Sequence, residues 1–251
     1  MVTLQSFQKN NHCTIIVQRI KDMQFVVLIL LAGLIIIPGE KVEASPGMND
    51  PEPGRKSVSV EFFGGASFSL PIMPLTLKQD GYDDISFTAH YETKPFDKHP
   101  YYAYRLGRWV DGKAWEIELV HHKIHLTNNP AEVQHFEVSH GYNLLTVNRA
   151  WDTRHLIYRV GLGLVIAHPE STVRNKPFYE MDGGFKGDGN YYVAGPTAQF
   201  AVQKNLSIWK SLYLAGEAKL TASYATVPIA EGDAVAPNTA LHLLLGLGID
   251  L

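Results

Sequence analysis

Cysteine is almost absent: the 251 residues contain one, Cys13, so neither an intramolecular disulfide framework nor a paired-cysteine zinc or iron–sulfur site can be built. Charge of one sign is also missing. With 22 Lys+Arg against 25 Asp+Glu, the formal net charge is −3 and no like-charge run interrupts the chain. Nothing electrostatic therefore points to nucleic acid or to a charged disordered tail. There is no long hydrophobic stretch either. The longest, FVVLILLAGLIII over residues 25–37, spans 13 positions, well short of the ~20 that a membrane-crossing helix requires.

That short run has Arg19 and Lys21 before it and Pro38-Gly39, then Val42-Glu43-Ala44, after it. This is the layout of a secretory signal peptide. We expect residues 1–44 to be removed near Ala44, leaving a short lead over 45–56 and one domain over 57–251. Cys13 lies upstream of the cleavage point, so the exported chain would hold no cysteine.

From residue 57 onward no helical period competes with alternation. In 57–70 the even positions are Val58, Val60, Phe62, Gly64, Ala66, Phe68 and Leu70, while the odd ones include Ser57, Ser59, Glu61, Ser67 and Ser69. A period of two describes a strand with one apolar face. The same split recurs in 156–166, in 212–224 and at the end of the chain, where Leu241, Leu243, Leu245, Leu247, Ile249 and Leu251 alternate with His242, Gly246, Gly248 and Asp250. A soluble sandwich also alternates, but its strands run to about five or six residues. These segments are longer, carry isolated charges on the polar face, and place Tyr and Trp near their ends, which is the pattern of a transmembrane β-barrel.

On these features Ser57 to Leu251 resembles the small outer-membrane β-barrels of Gram-negative bacteria. The resemblance implies an all-β, antiparallel, up-and-down transmembrane barrel, located in the outer membrane and expected to be a monomer. It also implies that the final strand engages the outer-membrane assembly machinery, although Leu251 stands where that class usually ends on an aromatic. Strands near 57–70, 74–79, 84–93, 101–109, 114–126, 135–147, 156–167, 191–204, 211–227 and 239–251 give ten, with eight as the second count. In that topology the connections 168–190 and 228–238 lie outside the cell, the former mobile, while the Asp80-Gly81 and Asp111-Gly112 turns lie in the periplasm. Leu162→Arg should impair assembly and Gly163→Ser should be mild.

Register follows from turns. A two-residue turn at Asp111-Gly112 sets Tyr104 against Leu119, Arg105 against Glu118, Leu106 against Ile117 and Arg108 against Trp115. A symmetric turn about Asn129-Pro130-Ala131 would set Glu118 against Asn143 and His122 against Ser139. The lumen then holds Arg105, Glu116, Glu118, Glu137, Arg159, Glu217 and Lys219 as a charge network. Nine of the 11 histidines, among them His99, His122, His125, His135, His140 and His168, fall in the outer half or its loops, where they can meet lipopolysaccharide phosphates. No metal site or cofactor is expected: His121 and His122 point to opposite faces, and His121 and His125 are about 13 Å apart along one strand.

The function expected is structural, ligand-binding or narrow-pore, with outer-membrane lipid and lipopolysaccharide as partners. The alternative is an outer-leaflet lipid hydrolase using Ser139, His122 and Glu137, with His122 and Ser139 about 5 Å apart at Cβ on one lumen face. Lipid A deacylases are similar small barrels, but they carry His and Ser two apart on one strand. Here Ser139 and His140 are neighbours, so no family catalytic residue carries over.

Overall fold

The computed structural model describes residues 56–96, 100–178 and 191–251. The expected signal peptide with Cys13, as well as His99, Gly183-Gly184 and Gly187-Asp188-Gly189, lie outside the described residues. Among the described residues the strands are β1 (Lys56–Leu70), β2 (Pro74–Gln79), β3 (Ile85–Thr88), β4 (Tyr91–Glu92), β5 (Tyr102–Val110), β6 (Lys113–Leu126), β7 (Val133–Asp152) and β8 (Ile157–Ala167). They continue as β9 (Glu170–Val173), β10 (Lys176–Phe178), β11 (Tyr192–Trp209), β12 (Leu212–Ser223), β13 (Thr226–Ile229), β14 (Gly232–Val235) and β15 (Asn238–Asp250).

Eight of these form a ring of antiparallel neighbours. The order is β1, β5, β6, β7, β8, β11, β12 and β15, and β15 pairs again with β1. The seam is sealed by reciprocal backbone bonds between Val58 and Leu251, of 3.1 and 2.8 Å. The wall therefore has eight strands and not ten. The two surplus segments, 74–79 and 84–93, do not cross: β2 and β3 join β13 and β14 in a separate four-stranded sheet, β13-β14-β2-β3. The Asp80-Gly81 turn consequently sits with the long connections, on the opposite side from where the ten-strand count puts it.

Alternation decides what each face meets. Val60, Phe62, Leu106, Ile117, Leu162 and Leu245 are exposed on the outside, and Leu214 is half-exposed. Around them Trp115, Tyr158 and Trp209 mark the end with short turns, and Tyr104, Tyr191 and Tyr224 mark the end with long connections. An apolar band between two aromatic girdles is what a barrel crossing a bilayer presents. Arg149 lies over the Trp115 ring at 5.2 Å and Lys210 over Trp209 at 5.0 Å, so cations back the girdle at the turn end.

The Asp111-Gly112 turn has φ of 50° and 70°, the double-positive pattern of a type I′ hairpin, and the β5–β6 register follows the sequence expectation, Arg105 opposite Glu118 included. Gly112→Ala forces a Cβ into that left-handed region and should cost about 1 kcal/mol, measurable as a shift in the urea midpoint of the folded barrel. Gly163 corrects a different expectation. A Cβ there would lie 1.9 Å from the Leu145 carbonyl oxygen and 2.7 Å from Thr146 Cα, so Gly163→Ser is not mild.

At the loop end β6, β7 and β9 rise beyond the band. Leu75, Leu77, Val227, Ile229 and Ala234 of the four-stranded sheet are buried in one cluster with Ile124, Val133, Phe136, Val138 and Val173 of this raised wall. The described residues 168–178 are thus not all loop, since β9 and β10 form a hairpin on β7 whose turn residues Arg174 and Asn175 have φ of 50° and 60°.

Candidate functional site

The bore is filled in layers. Nearest the turn end, three cations and four carboxylates interlock, all essentially buried. Arg105 donates through Nη1 to Glu61 at 2.7 Å and through Nη2 to Glu118 and Glu217, each at 2.7 Å. Arg159 Nε donates to Glu116 at 2.8 Å and its Nη1 to Glu217 at 3.0 Å, while Lys219 joins Glu118 to Glu217. Three amides and a phenol complete the network: Gln199 and Asn148 donate to Glu118, and Gln203 and the Tyr213 hydroxyl donate to Glu61. Every expected lumen charge is present except Glu137. Glu61, which alternation places on the polar face, completes the set.

Above the charges lies a neutral layer. His242 bridges Tyr101 Oη at 2.7 Å and Thr221 Oγ1 at 2.8 Å, and His122 bridges Ser67 Oγ and Asn238 Oδ1, both at 3.0 Å. On β6 Val120 stands between Glu118 and His122, in one row with Leu144 of β7 and Val165 of β8, and beyond His122 Ile124 leads into the apolar cluster under the four-stranded sheet.

The three residues proposed from sequence for hydrolysis part company here. His122 lies opposite Tyr142, and the next pair beyond the shift is Ile124 opposite Val138. Residues 139–141 of β7 therefore stand against Lys123 alone, a bulge completed by Gly141 at φ 141°. The bulge shifts the register by two, which keeps faces, but the 127–132 turn already sets it one residue off the symmetric expectation, and that odd shift exchanges faces. Glu118 meets Thr146 rather than Asn143, and Glu137 meets His125. With Phe136 and Val138 turned into the core, Glu137 faces outward, away from the lumen.

Glu137 belongs to a second constellation, on the outer side of the raised wall. His125 Nδ1 lies 2.7 Å from its Oε2 and His135 Nε2 3.6 Å from the same oxygen. Burial pushes this carboxyl up, yet the hydrogen bonds from His125 and Ser139 and the adjacent imidazoles outweigh it and bring it down to about 2. Across the β7–β9 pairing Glu137 is matched with Glu170, whose Oε1 is 2.7 Å from His140 Nδ1. The His168 ring lies tilted against the His140 ring at 5.2 Å and against Tyr191 at 5.3 Å. Ser139 Oγ is 3.4 Å from His140 Nδ1, the same nitrogen that meets Glu170. A serine relay needs the acid on one imidazole nitrogen and the nucleophile on the other, so this geometry does not supply one.

Beside this constellation runs a groove of about 410 Å³ lined by Pro100, Tyr102, Leu119, His121, His140, Asn143, Ile166 and Tyr191. Tyr102, His121, Asn143 and Ile166 form one outward row across β5, β6, β7 and β8, at the top of the apolar band. His121 stacks on Tyr102 at 4.9 Å and its Nδ1 is 2.8 Å from Asn143 Oδ1. The alternation in β6 put His121 on the outside. His168 and Glu170 stand two apart in sequence, in a stretch that read as a loop, whereas the approach of His140 carried no sequence signal because the bulge brings it about.

The fold and this layout define a small transmembrane-type β-barrel with a filled bore and a decorated outer rim. No family model and no curated protein sequence matches the chain. Among solved structures, it is similar to Neisserial surface protein A, at 6% identity and TM-score 0.35, covering 77% of this chain and 96% of that one. It is also similar to Ail, the attachment invasion locus protein of Yersinia pestis, at 8% identity and TM-score 0.35, covering 79% and 99%, and to the same protein in complex with the heparin analogue sucrose octasulfate, at 9% identity.

Proposed function

We propose that this is an outer-membrane protein with the turn end in the periplasm and the loop end outside the cell, and that it binds at its outer rim instead of conducting through its bore. The orientation rests on the rule that such barrels keep short turns inside and long connections outside. The observation that carries the binding reading is the groove at the top of the apolar band. It sets the apolar Leu119, Ile166 and Tyr102 ring beside the polar groups of His121, His140, Asn143 and Tyr191. An apolar surface with a few convergent polar groups, placed where acyl chains give way to headgroups, suits an outer-leaflet lipid with a phosphorylated headgroup, lipopolysaccharide being the partner of that kind. The buried, interlocked charges of the bore support the same reading, because among the described residues they occupy the lumen that a pore would need.

Planar-bilayer recordings of the folded protein should accordingly show no sustained current. Native mass spectrometry of protein extracted from outer membranes should find bound lipid. Ile166→Trp, which fills the groove, should lower the lipid-bound fraction several-fold, whereas Leu162→Trp on the bare band should leave it unchanged. Equal retention in the two variants would overturn the groove as the binding site.

A further inference from the structure

We propose that the outer rim binds a divalent transition-metal ion through His140, His168 and Glu170. This goes beyond the lipid reading, which stands or falls without it. The side-chain donor atoms of these three residues all lie within 4.8 Å of one another, and each residue is half-buried. Ligands around a tetrahedral ion at about 2.0–2.1 Å are roughly 3.4 Å apart, so the set closes on an ion with side-chain movements of about 1 Å.

Two backbone devices assemble the set. The bulge at 139–141, with Gly141 at φ 141°, turns His140 out of the regular ladder, and the His168 amide donates to the Gly141 carbonyl at 3.0 Å, fixing the second histidine to the same bulge. The β7–β9 pairing then delivers Glu170 opposite Glu137. Two segments, β7 at its bulge and the 168–170 stretch that opens β9, thus converge on one point, and none of the three residues is a lumen group needed to hold the barrel.

The donor set selects the ion. Two imidazoles and one carboxylate suit zinc, copper or nickel, whereas calcium takes six to eight oxygens, far more than are gathered here. Three protein ligands also leave a coordination position open, as in sites that present a metal to a further ligand. His135 and Glu137 form a second donor group that shares Glu170, and His125 Nδ1 lies 2.7 Å from Glu137, so further imidazole and carboxylate donors stand beside the set. His140 also lines the groove, so a bound ion would stand beside it.

The test is titration of the full chain, folded in detergent micelles and stripped with chelator, using Zn²⁺ in a calorimeter and Co²⁺ with visible absorption. The expected result is one saturable ion per chain and a cobalt spectrum of low coordination number. Glu170→Gln, which preserves shape, and His168→Ala should each weaken Zn²⁺ at least tenfold. His90→Ala, at an exposed histidine elsewhere, should not change it, and retained heat-modifiable mobility shows that each variant is folded. Absence of saturable binding in the wild-type protein, or equal affinity in wild type and folded Glu170→Gln, would overturn the proposal. Lipid retention in the same variants is read separately, so loss of metal without loss of lipid distinguishes the two readings.

Discussion

Arg105→Met should destabilise the folded barrel by about 3–5 kcal/mol, the cost of removing one partner from a buried ionic cluster. The guanidinium is the hub of the lumen. It satisfies carboxylates from three strands, Glu61, Glu118 and Glu217, and the Gln203 amide oxygen at 2.8 Å. Methionine fills much of the volume but leaves four carboxylates facing only Arg159 and Lys219. Water cannot easily compensate, because the layer is sealed above by the His122–His242 level and the apolar cluster. The measurement is the denaturant midpoint followed by heat-modifiable mobility. Removing a carboxylate together with the arginine, as in Arg105→Met with Glu217→Gln, should recover part of the loss, since fewer charges remain uncompensated. High salt should leave the wild-type value nearly unchanged, because ions screen buried pairs poorly. A loss below about 1 kcal/mol would place the cluster among the weak surface-type pairs and refute its role as a core.

Leu162→Arg should impair membrane assembly at a cost of about 2–4 kcal/mol, the penalty for arginine near the midplane of a barrel's lipid face. Leu162 is 72% exposed and sits between Val160 and Leu164 in the middle of the apolar band. In water that exposure would make the substitution harmless; in lipid it does not. Leu162→Phe, which preserves an apolar surface, is the matched control and should assemble normally. The readout is the fraction of protein that acquires the folded, heat-modifiable form in membranes. Equal yields for the arginine and phenylalanine variants would mean that this face does not meet lipid.

Faces were legible in the sequence wherever strands run regularly, because a period of two needs only local information. Val60, Leu106 and Leu162 outward, with Arg105, Glu116, Glu118, Arg159, Glu217 and Lys219 inward, follow from it directly. Register was legible across β5–β6 because Asp111-Gly112 leaves one hairpin geometry open. It was not legible across β6–β7, where the extra residues at 139–141 are absorbed in mid-strand, far from the turn that was used to count. Glu137 changed faces because the 127–132 turn is one residue off the symmetric count, and the bulge then carried Ser139 out of step with His122. The segments at 74–79 and 84–93 read as wall strands because an alternating strand carries no mark of which sheet it joins. The partner that draws β2 away from the wall, β14, lies near the other end of the chain. The rim constellation was invisible on the same ground, as His140 meets His168 and Glu170 through a bulge and not through any spacing.

The pairing of β2 with β14 has a temporal meaning. Gln79 and Gly232 are registered partners from the first and last long connections, which lie side by side only once β15 has reached β1. Most of the entropy of bringing such distant segments together is then already spent on the seam, so the cap forms late and cheaply. A chain stalled as an open sheet would have no cap and would leave Leu75, Leu77 and Val227 bare. The cap is therefore a built-in record of completed closure, and the unfinished barrel announces itself by a sticky hydrocarbon face that the finished one hides.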